Sequence, residues 1–441
     1  MRNISKRTAA TLLAVAIAAA ALLAGSAGLG KLPQPGGGAD RGENGGQPNR
    51  AGGPAEIGGD ITFWAWDRAM RAITPELERF RLKYPQVTVH TVVLSGEEAY
   101  RKLLLANASN GVAPDVAAIP KQVLGRYIEI GALLELSDRV RASGLANPGS
   151  GCPDATRENR CYAVPWDLGP VGLFYRRDVF EGAGFASDPE SVSALLATWD
   201  DYLRVGKTIK EKTGAYMNAM PLETGEGVTT LFEYMLSQDG KLYVDEAGQV
   251  VIRSPLALTA LNKLIEMNDA GITLSAQAGT RPYNGAVERG IVATIAEPVW
   301  MGGTLRDIAP GSSGLWGVAQ LPAWFPGGSR SADAGGSYLG ISRLSANIPA
   351  AWAFIEYMLG KPGTVNSMFR RADLFPALEE AYADPMYDEP LAFFAGQRTR
   401  RFFVQQSREA KPAYFSDDFR DMRKIAELEL FKAIKGVLSP E

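Results

Sequence analysis

The sequence predicts an α/β protein with two doubly wound lobes. Runs rich in β-branched and aromatic residues alternate with helix-like runs between residues 61 and 136, which is the pattern of consecutive βαβ units. The alternation restarts near Gly172, after a polar loop that carries both cysteines. At 441 residues, of which 46% are hydrophobic, the chain is long enough for two or three domains and apolar enough to give each a core.

The N-terminus has the composition of an export segment. Three basic residues precede residues 8–30, a run dominated by Ala and Leu that has no charged side chain. We assign residues 1–27 to an export signal or an uncleaved signal anchor, because small residues near Ala24 favour cleavage whereas the neutral run approaches the length of a membrane span. Residues 28–59 are rich in Gly, Pro, Asn and Gln and are predicted to form a flexible linker.

The first predicted unit is a βαβ motif followed by two further elements. Residues 61–66 form a strand, and residues 74–76 (Thr-Pro-Glu) supply the N-cap, the N1 proline and the first-turn acid of the next helix. Residues 87–94 alternate as a second strand. A helix over residues 98–108 and a buried strand over residues 115–119 complete this first lobe.

The second lobe begins with a predicted strand over residues 172–175. Residues 198–201 (Thr-Trp-Asp-Asp) have the capping-box pattern of a helix start, and Ser254 with Pro255 opens another helix. Three later elements are a buried strand at residues 291–295, a strand at 339–341 and a helix at 350–359.

The two cysteines, Cys152 and Cys161, flank a short polar loop. Export makes a disulfide between them the natural assignment, whereas a thiolate metal site would need more ligands. The one histidine, His90, lies far away in sequence on the outer face of a predicted strand, and we assign it no role. We predict no metal and no cofactor, and the net charge of −3 does not favour nucleic acid as a partner.

Aromatic and acidic residues follow the ends of several predicted strands, where open α/β sheets place their ligands. These residues are Trp66, Asp67, Trp166, Asp167, Glu297 and Trp300. Sugar rings have apolar CH faces and polar edges, so aromatic planes beside carboxylates suit them. The strand ends therefore indicate a site for a carbohydrate.

Several of these residues also have a structural interpretation. Asp67 could cap the next helix, Trp166 and Asp167 could form a structural hinge pair, and Glu297 could point to solvent. The remaining tryptophans singled out by the pattern are interpreted as core residues, namely Trp64, Trp199 and Trp352.

Eight segments together resemble the extracytoplasmic solute-binding proteins of ATP-driven importers, in the cluster that includes maltose-binding protein and other sugar binders. The segments are ITFWAW at Ile61, ANASNGVAPDV at Ala106, GALLELSD at Gly131, YAVPWDLGPVGLFYRRDVFEGAGF at Tyr162, TWDDYL at Thr198, GIVATIAEPVW at Gly290, GVAQLPAW at Gly317 and GGSYLGISRLSANIPAAWAFIEYML at Gly335. Their shared order covers nearly the whole chain from Ile61 to Gly436.

The resemblance implies two lobes of the periplasmic-binding-protein type, joined by crossing segments near Trp166 and Gly336 and closing on a ligand by hinge bending. The implied boundaries are residues 60–165 plus 337–384 for lobe one and residues 166–336 plus 385–441 for lobe two. The resemblance also implies an exported monomer, periplasmic or at the cell surface, that binds a sugar or oligosaccharide. It would deliver this ligand to membrane permease subunits, whose partner ATPase drives import.

The resemblance adds site residues to those at the strand ends. Trp300 matches the position of a sugar-stacking aromatic in the family. Glu223 aligns with a segment that contributes a ligand carboxylate, although Glu226 is equally available. The second crossing offers flexible backbone and two hydroxyls for a ligand, from Gly336, Ser337 and Tyr338, although an ordinary turn explains them as well.

One departure from the family concerns lipid attachment. Many relatives carry a cysteine directly after the export signal, but Ser26 stands at that place here. A thioether to lipid needs the sulfur, so this chain is not predicted to be a cysteine-linked lipoprotein. Any membrane attachment must come from the hydrophobic segment itself.

Two other functions remain open at this stage. A secreted carbohydrate-active hydrolase or lyase would also use paired carboxylates and tryptophans in a cleft. The chain has no GxSxG nucleophile elbow, and Asp201 stands where a phosphate loop before Lys207 would need a glycine, so we favour binding over catalysis. The same fold with a polyamine, an iron complex or a phosphorylated alcohol as ligand is the second alternative.

Overall fold

A computed structural model describes residues 57–109, 111–145 and 155–438. The predicted export segment, most of the linker and Cys152 lie outside the described residues. Within these three ranges, no helix is both long enough and apolar enough to cross a membrane.

Helices and strands alternate through most of the chain. The strands are β1 Gly59–Ala65, β2 Val87–Val93, β3 Val116–Pro120, β4 Thr156–Arg157, β5 Arg160–Cys161, β6 Ala163–Arg176, β7 Asn218–Met220, β8 Thr273–Ser275, β9 Thr294–Pro298, β10 Trp316–Ala319, β11 Asp333–Ile341 and β12 Phe375–Pro376. The helices are α1 Asp67–Lys83, α2 Gly96–Ser109, α3 Lys121–Glu129, α4 Ser137–Ser143, α5 Arg177–Gly182, α6 Pro189–Leu195, α7 Trp199–Thr213, α8 Thr229–Ser237, α9 Pro255–Asp269, α10 Arg281–Glu288, α11 Met301–Ile308, α12 Ile348–Leu359, α13 Pro362–Ala372, α14 Thr399–Glu409 and α15 Phe419–Ile434.

One mixed sheet runs through the molecule, in the order β10-β6-β11-β3-β1-β2, with β9 and β12 also paired to β6. Strands β1, β2 and β3 are parallel, whereas β11 is antiparallel to both β3 and β6. We use "first lobe" for β1 to β3 with α1 to α3, α12 and α13, and "second lobe" for β7 to β10 with α7 to α11 and α15.

Strands β6 and β11 cross from one lobe to the other. The first part of β6, up to Pro170, pairs with β11. The part from Val171 to Tyr175 pairs with β9, and the part from Leu173 to Arg176 pairs with β10. The register between β6 and β11 shifts twice near the crossing, between Asp333 and Gly336 and again at Ser337. Two long strands therefore carry the chain between lobes at the base of the cleft.

Local capping signals in the sequence are confirmed. The hydroxyl of Thr198 accepts a hydrogen bond from the Asp201 amide at 3.2 Å, and the Asp201 carboxylate accepts one from the Thr198 amide, which is the predicted capping box. Helix α9 begins as predicted at Pro255, with the Ser254 hydroxyl as its N-cap acceptor. Trp199 at 1% exposure and Trp64 at 8% lie in the core, whereas Trp352 is only partly buried.

The predicted start of the first helix is wrong. Helix α1 begins at Asp67, not at Thr74, and Pro75 lies inside it. The additional turns bury Ala69, Met70, Ala72 and Ile73 against the core, and this burial outweighs the local signal of the Thr-Pro-Glu motif.

The strand predicted at residues 291–295 is also displaced. Strand β9 begins three residues later, at Thr294, because its pairing with β6 runs from Thr294 to Pro298. The displacement brings Glu297 inside the strand and leaves Trp300 two residues after its end, directly before helix α11.

Candidate functional site

Three adjoining chambers form a trough that begins between the lobes and continues into the second lobe. The hinge chamber, of about 260 Å³, is lined by Trp66, Arg68, Pro120, Gln122, Asp167, Trp300, Gly336, Ser337 and Leu374. The middle chamber, of about 230 Å³, is lined by Gln122, Thr230, Glu233, Tyr234, Leu242, Glu297, Trp300, Asp333, Ala334, Phe415 and Arg423. The inner chamber, of about 270 Å³, has polar lining residues that include Tyr202, Asn218, Glu226, Thr230, Gln277, Tyr283, Thr294 and Glu297.

Shared lining residues show that the chambers are adjacent. Gln122 and Trp300 line both the hinge and middle chambers, while Thr230 and Glu297 line both the middle and inner chambers. Each chamber alone is smaller than the ~300 Å³ lower end for small-molecule sites, whereas the three together fall within the usual range. The trough therefore has the size of a site for one extended ligand.

Strand ends place the first-lobe side of the trough. Trp66 follows the last residue of β1, and Gln122 lies two residues after the end of β3. These strands are parallel, so their carboxyl ends lie at one edge of the sheet. The Gln122 amide donates a hydrogen bond to the Ala334 carbonyl at 2.9 Å, which fixes it against the crossing strand β11.

The indole of Trp300 lies close to the crossing strand β6. A Cβ atom built on Gly169 of β6 would be 3.1 Å from Cη2 of Trp300 and 3.3 Å from the Cβ of Ala334 on β11. The ring is partly buried and lines two chambers, so one side of it packs on backbone and another remains open to a ligand. This arrangement is suited to stacking against a sugar face.

Trp66 has a second tryptophan behind it. The ring centroids of Trp66 and Trp166 are 6.4 Å apart, with the ring planes inclined by 37°. Trp66 is partly buried and lines the hinge chamber, whereas Trp166 is 2% exposed and lines none of the three chambers. Trp166 therefore supports the position of Trp66 from the core.

Asp167 and Ser337 face each other across β6 and β11. The Ser337 hydroxyl donates a hydrogen bond to the Asp167 carboxylate, and both residues line the hinge chamber. Burial raises the pKa of Asp167 to about 7, and the hydrogen bonds from Ser337 oppose this rise only in part. No cation pairs with this carboxyl group among the ion pairs of the described residues.

Gly336 occupies a backbone conformation that only glycine adopts easily. Its φ is +138°, and a Cβ atom there would be 2.1 Å from the carbonyl oxygen of Asp167. The close approach of the two crossing strands at the floor of the hinge chamber therefore depends on this glycine.

Glu297 provides a second carboxyl group of the trough and is partly buried. The Tyr234 hydroxyl donates a hydrogen bond to Glu297 Oε2 at 3.1 Å. Burial raises the pKa of Glu297 to about 7, while Tyr234 and the positive charge of Arg423 lower it in part. The residue lines both the middle and inner chambers, so a hydroxyl group in either chamber can reach this carboxyl group.

The cations of the trough already have partners. Arg423 Nε lies 3.1 Å from Glu233 Oε1, and Lys121 Nζ lies 3.3 Å from Asp333 Oδ2. Arg68 donates to the hydroxyl of Thr304 at 2.7 Å, across the cleft from the first lobe to α11. Polar hydroxyl, amide and carboxyl groups beside two indoles make a surface that can bind sugar hydroxyls and ring faces together.

Three further predicted residues lie outside the trough. Asp67 is exposed and forms an ion pair with Arg71 at 3.2 Å on helix α1. Glu223 is exposed and lines none of the three chambers, whereas the alternative Glu226 lines the inner one. Tyr338 is 4% exposed and lies in the core, on the opposite face of β11 from Ser337.

Sequence reasoning missed several lining residues. Arg68 and Gln122 follow strand ends and could have been found by the same rule that selected Trp66. Phe415 and Arg423 come from the C-terminal segment, far in sequence from the other lining residues, and no local pattern marks them. Among the described residues, no group of three or more His, Cys, Asp or Glu side chains is arranged to hold a metal ion.

Comparison with known proteins gives a family match over most of the chain. The model of a family described as bacterial extracellular solute-binding protein matches residues 65–365. A lactose-binding protein of Rhizobium radiobacter is 29% identical over 362 residues, covering 79% of this chain and 82% of the relative. An arabinooligosaccharide-binding protein of Bacillus subtilis (strain 168) is 24% identical, covering 86% and 88%.

Solved structures share the fold. The sugar-binding protein MalE from Xanthomonas citri superposes with a TM-score of 0.71 at 23% identity, covering 87% of this chain and 93% of that protein. An ABC transporter-associated binding protein from B. animalis subsp. lactis Bl-04, in complex with beta-1,6-galactobiose, gives a TM-score of 0.70 at 24% identity, covering 86% and 92%. The predicted two-lobed α/β fold is confirmed.

Proposed function

The chain belongs to the family of bacterial extracellular solute-binding proteins, and we propose that it is the carbohydrate-binding component of an ATP-driven importer. Relatives from Rhizobium radiobacter and Bacillus subtilis are named for binding lactose and arabinooligosaccharide, and the chain is a binding protein rather than an enzyme. Membrane permease subunits are its proposed partners, and the ATPase belongs to them.

The trough between the lobes is the observation that carries this proposal. Trp300 and Trp66 offer partly open indole faces, and Glu297 and Asp167 offer carboxyl groups that are hydrogen-bonded to the Tyr234 and Ser337 hydroxyls. Sugars present an apolar face and several hydroxyls to such a surface, and each hydroxyl can donate to one carboxyl oxygen. The linear series of chambers favours an oligosaccharide that occupies more than one of them.

We propose the trough residues as the ligand contacts, namely Trp66, Asp167, Glu297, Trp300, Gly336 and Ser337 from the sequence, with Gln122, Tyr234 and Glu226 added. Trp166 and Tyr338 are proposed to support this site from the core. The lobe boundaries at residues 60–165 plus 337–384 and 166–336 plus 385–441 are part of the same proposal. The proposal also includes the monomeric state and the N-terminal segment as an export signal or an uncleaved membrane tether.

A thermal-shift screen of the purified protein against a panel of saccharides tests the proposal. The panel contains lactose, arabinobiose, arabinotriose, maltose, maltotriose and β-1,6-galactobiose, with a polyamine and a sugar phosphate as non-sugar or charged comparators. A ligand that binds only the folded state at 100 times its Kd adds about 2.7 kcal/mol of stability. If only the polyamine or only the sugar phosphate raises the Tm, the proposed ligand is that kind of solute and not a neutral sugar.

A further inference from the structure

The C-terminal segment bridges the two lobes beside the trough. We call residues 413–423 the strap. Ala413 is 1% exposed and Phe419 is 2% exposed, both within the second-lobe core, and the rings of Phe415 and Phe419 are 4.8 Å apart. The strap is therefore anchored to the second lobe by apolar burial.

The same segment contacts two helices of the first lobe. The Arg420 guanidinium forms an ion pair with Glu97, and its Cζ lies 4.3 Å from the ring centroid of Tyr100, both on α2. Arg420 is 19% exposed at its side chain, so the contact is partly desolvated. An ion pair combined with a cation–π contact is stronger than an exposed ion pair alone.

Gly125 of α3 lies where the strap passes close to the helix. A Cβ atom on this residue would lie 2.4 Å from Oδ1 and 3.4 Å from Cα of Asp417. A glycine inside a helix costs about 1 kcal/mol relative to alanine. The glycine is compatible with the close approach of the strap, which any larger residue at this position would obstruct.

The strap also forms part of the trough wall. Phe415 and Arg423 line the middle chamber opposite Trp300 and Glu297, and Lys121 Nζ of the first lobe lies 5.1 Å from the Phe415 ring centroid. The strap lies outside residues 65–365, which match the family model. One element thus contributes to the ligand's enclosure and joins the lobes.

We propose that the strap holds the lobes closed over the bound sugar, and that Arg420 is a positioning residue that sets how fast the sugar leaves. Arg420 lines none of the three chambers and acts through the position of Phe415 and Arg423. Opening the cleft requires the Arg420 contacts with Glu97 and Tyr100 to break, because they join opposite lobes. This inference rests on the proposed function for its ligand and on the contacts of the strap for its mechanism.

The test uses Arg420→Ala, with Arg420→Lys as the conservative variant and Lys424→Ala as the matched control. Lys424 is exposed on the same helix, so its loss removes the same charge without touching the first lobe. The probe is the panel sugar that raises the Tm most. We expect Arg420→Ala to raise the dissociation rate in stopped-flow fluorescence about fivefold, with an association rate within twofold of the parent. Arg420→Lys should restore most of the slow release, and Lys424→Ala should behave as the parent.

A second variant keeps the proposal testable if Arg420→Ala folds poorly. Gly125→Gln places a good helix former under Asp417, so helix α3 should gain local stability while the strap is displaced. Faster sugar dissociation from Gly125→Gln, without a lower Tm, supports the proposal that the strap slows release of the sugar. A dissociation rate equal to that of the parent in both variants would overturn it.

The ligand-free protein separates this inference from the proposed function. Small-angle scattering should give a larger radius of gyration for Arg420→Ala and Gly125→Gln than for the parent and for Lys424→Ala. If no sugar in the panel binds, the proposed function fails. The scattering result still tests whether the strap holds the lobes together. If sugars bind but the variants leave both the radius of gyration and the dissociation rate unchanged, only the proposal about the strap is contradicted.

Discussion

At the scale of single residues, the proposed site assigns sugar binding to an indole and a carboxyl group that lie three positions apart. Trp300 lies close to the backbone of crossing strand β6 at Gly169, so a sugar ring that stacks on it meets a supported surface. Glu297 is held by the Tyr234 hydroxyl and lines two chambers. The apolar and the polar part of a sugar can therefore be bound by two nearby residues, one at the end of β9 and one at the start of helix α11.

Replacement of Trp300 by alanine should weaken sugar binding by about 1 to 3 kcal/mol, because the variant loses an aromatic anchor at the junction of two chambers. Isothermal titration with the best panel sugar measures the change. The matched control is Phe325→Ala, whose side chain is 64% exposed and lines none of the three chambers, and it should leave the affinity unchanged. An unaltered Kd in Trp300→Ala would remove this residue from the site.

Replacement of Glu297 by glutamine should stabilise the ligand-free protein more at pH 8 than at pH 5. The folded-state pKa of Glu297, about 7, lies above the ordinary 4.5, so the unfolded chain loses its proton first and stability falls as pH rises between these values. Glutamine cannot ionise, so it removes this penalty. We expect the penalty to be on the order of 1 to 2 kcal/mol, because the carboxyl group reaches the trough and solvent there screens its charge.

Thermal unfolding at the two pH values measures this effect, and titration with sugar measures the cost to binding. Affinity should fall, because a neutral amide offers a hydroxyl donor a weaker acceptor than a carboxylate does. An equal change in Tm at pH 5 and at pH 8 would contradict the assignment of the penalty to this carboxyl group.

At the scale of secondary-structure elements, strands β6 and β11 determine how the lobes are joined. They are paired to each other at the floor of the hinge chamber, and both register shifts of this pair occur there. Irregular pairing concentrates torsional freedom in a few residues, which is what a hinge between two packed lobes requires. Gly336 lies within this irregular stretch.

Replacement of Gly336 by alanine should lower the free energy of unfolding by about 1 to 3 kcal/mol, since a positive φ is strained for any residue with a Cβ atom. The Cβ would also overlap the Asp167 carbonyl oxygen, at 2.1 Å, so the loss is expected at or beyond the upper end of this range. Urea denaturation measures it. Gly363→Ala is the control, because a Cβ there meets no atom within 4 Å, and it should be neutral or slightly stabilising.

The predicted disulfide belongs to the loop before β6. Cys161 is 6% exposed, and its proposed partner Cys152 lies outside the described residues, so the pairing stays a prediction. Non-reducing mass spectrometry of the exported protein should give a peptide in which the two cysteines are joined. The bridge closes a short loop, so its reduction should cost only about 2 kcal/mol of stability. Two free thiols would contradict the pairing.

At the scale of the whole molecule, side chains of opposite lobes meet at several places along the cleft. In the strap, Arg420 forms an ion pair with Glu97 of the first lobe. On helix α11, Thr304 accepts a hydrogen bond from Arg68 of the first lobe. On the same helix, Asp307 forms an ion pair with Arg71 at 3.7 Å. The last pair is exposed on both sides and contributes little by itself. Closure is therefore expected to depend on a few partly buried contacts and on the ligand.

Sugar binding should make the protein more compact, because the ligand contacts both lobes and shifts the population towards the closed form. Small-angle scattering with and without a saturating concentration of the best panel sugar measures the radius of gyration. The Trp300→Ala variant at a sugar concentration far below its Kd is the control and should retain the ligand-free value. Binding without any change in the radius would indicate a rigid cleft.

The sequence by itself determined the repeating βαβ order and the capped helices α7 and α9. Local rules suffice for these features, because strand alternation, Thr198 with Asp201, and Ser254 with Pro255 act over a few neighbouring residues. The resemblance to the family of extracellular solute-binding proteins depended instead on the order of eight segments along the chain. Trp66, Glu297 and Trp300 were found because strand ends in an open sheet lie at one edge.

Only the tertiary structure decided which of these residues share the trough. Trp166 and Tyr338 are buried in the core while their neighbours Asp167 and Ser337 face the hinge chamber, because successive residues of a strand point to opposite faces. Phe415 and Arg423 join the site from the far end of the chain. Contacts between such distant segments depend on how whole elements pack, and no pattern of adjacent residues specifies that packing.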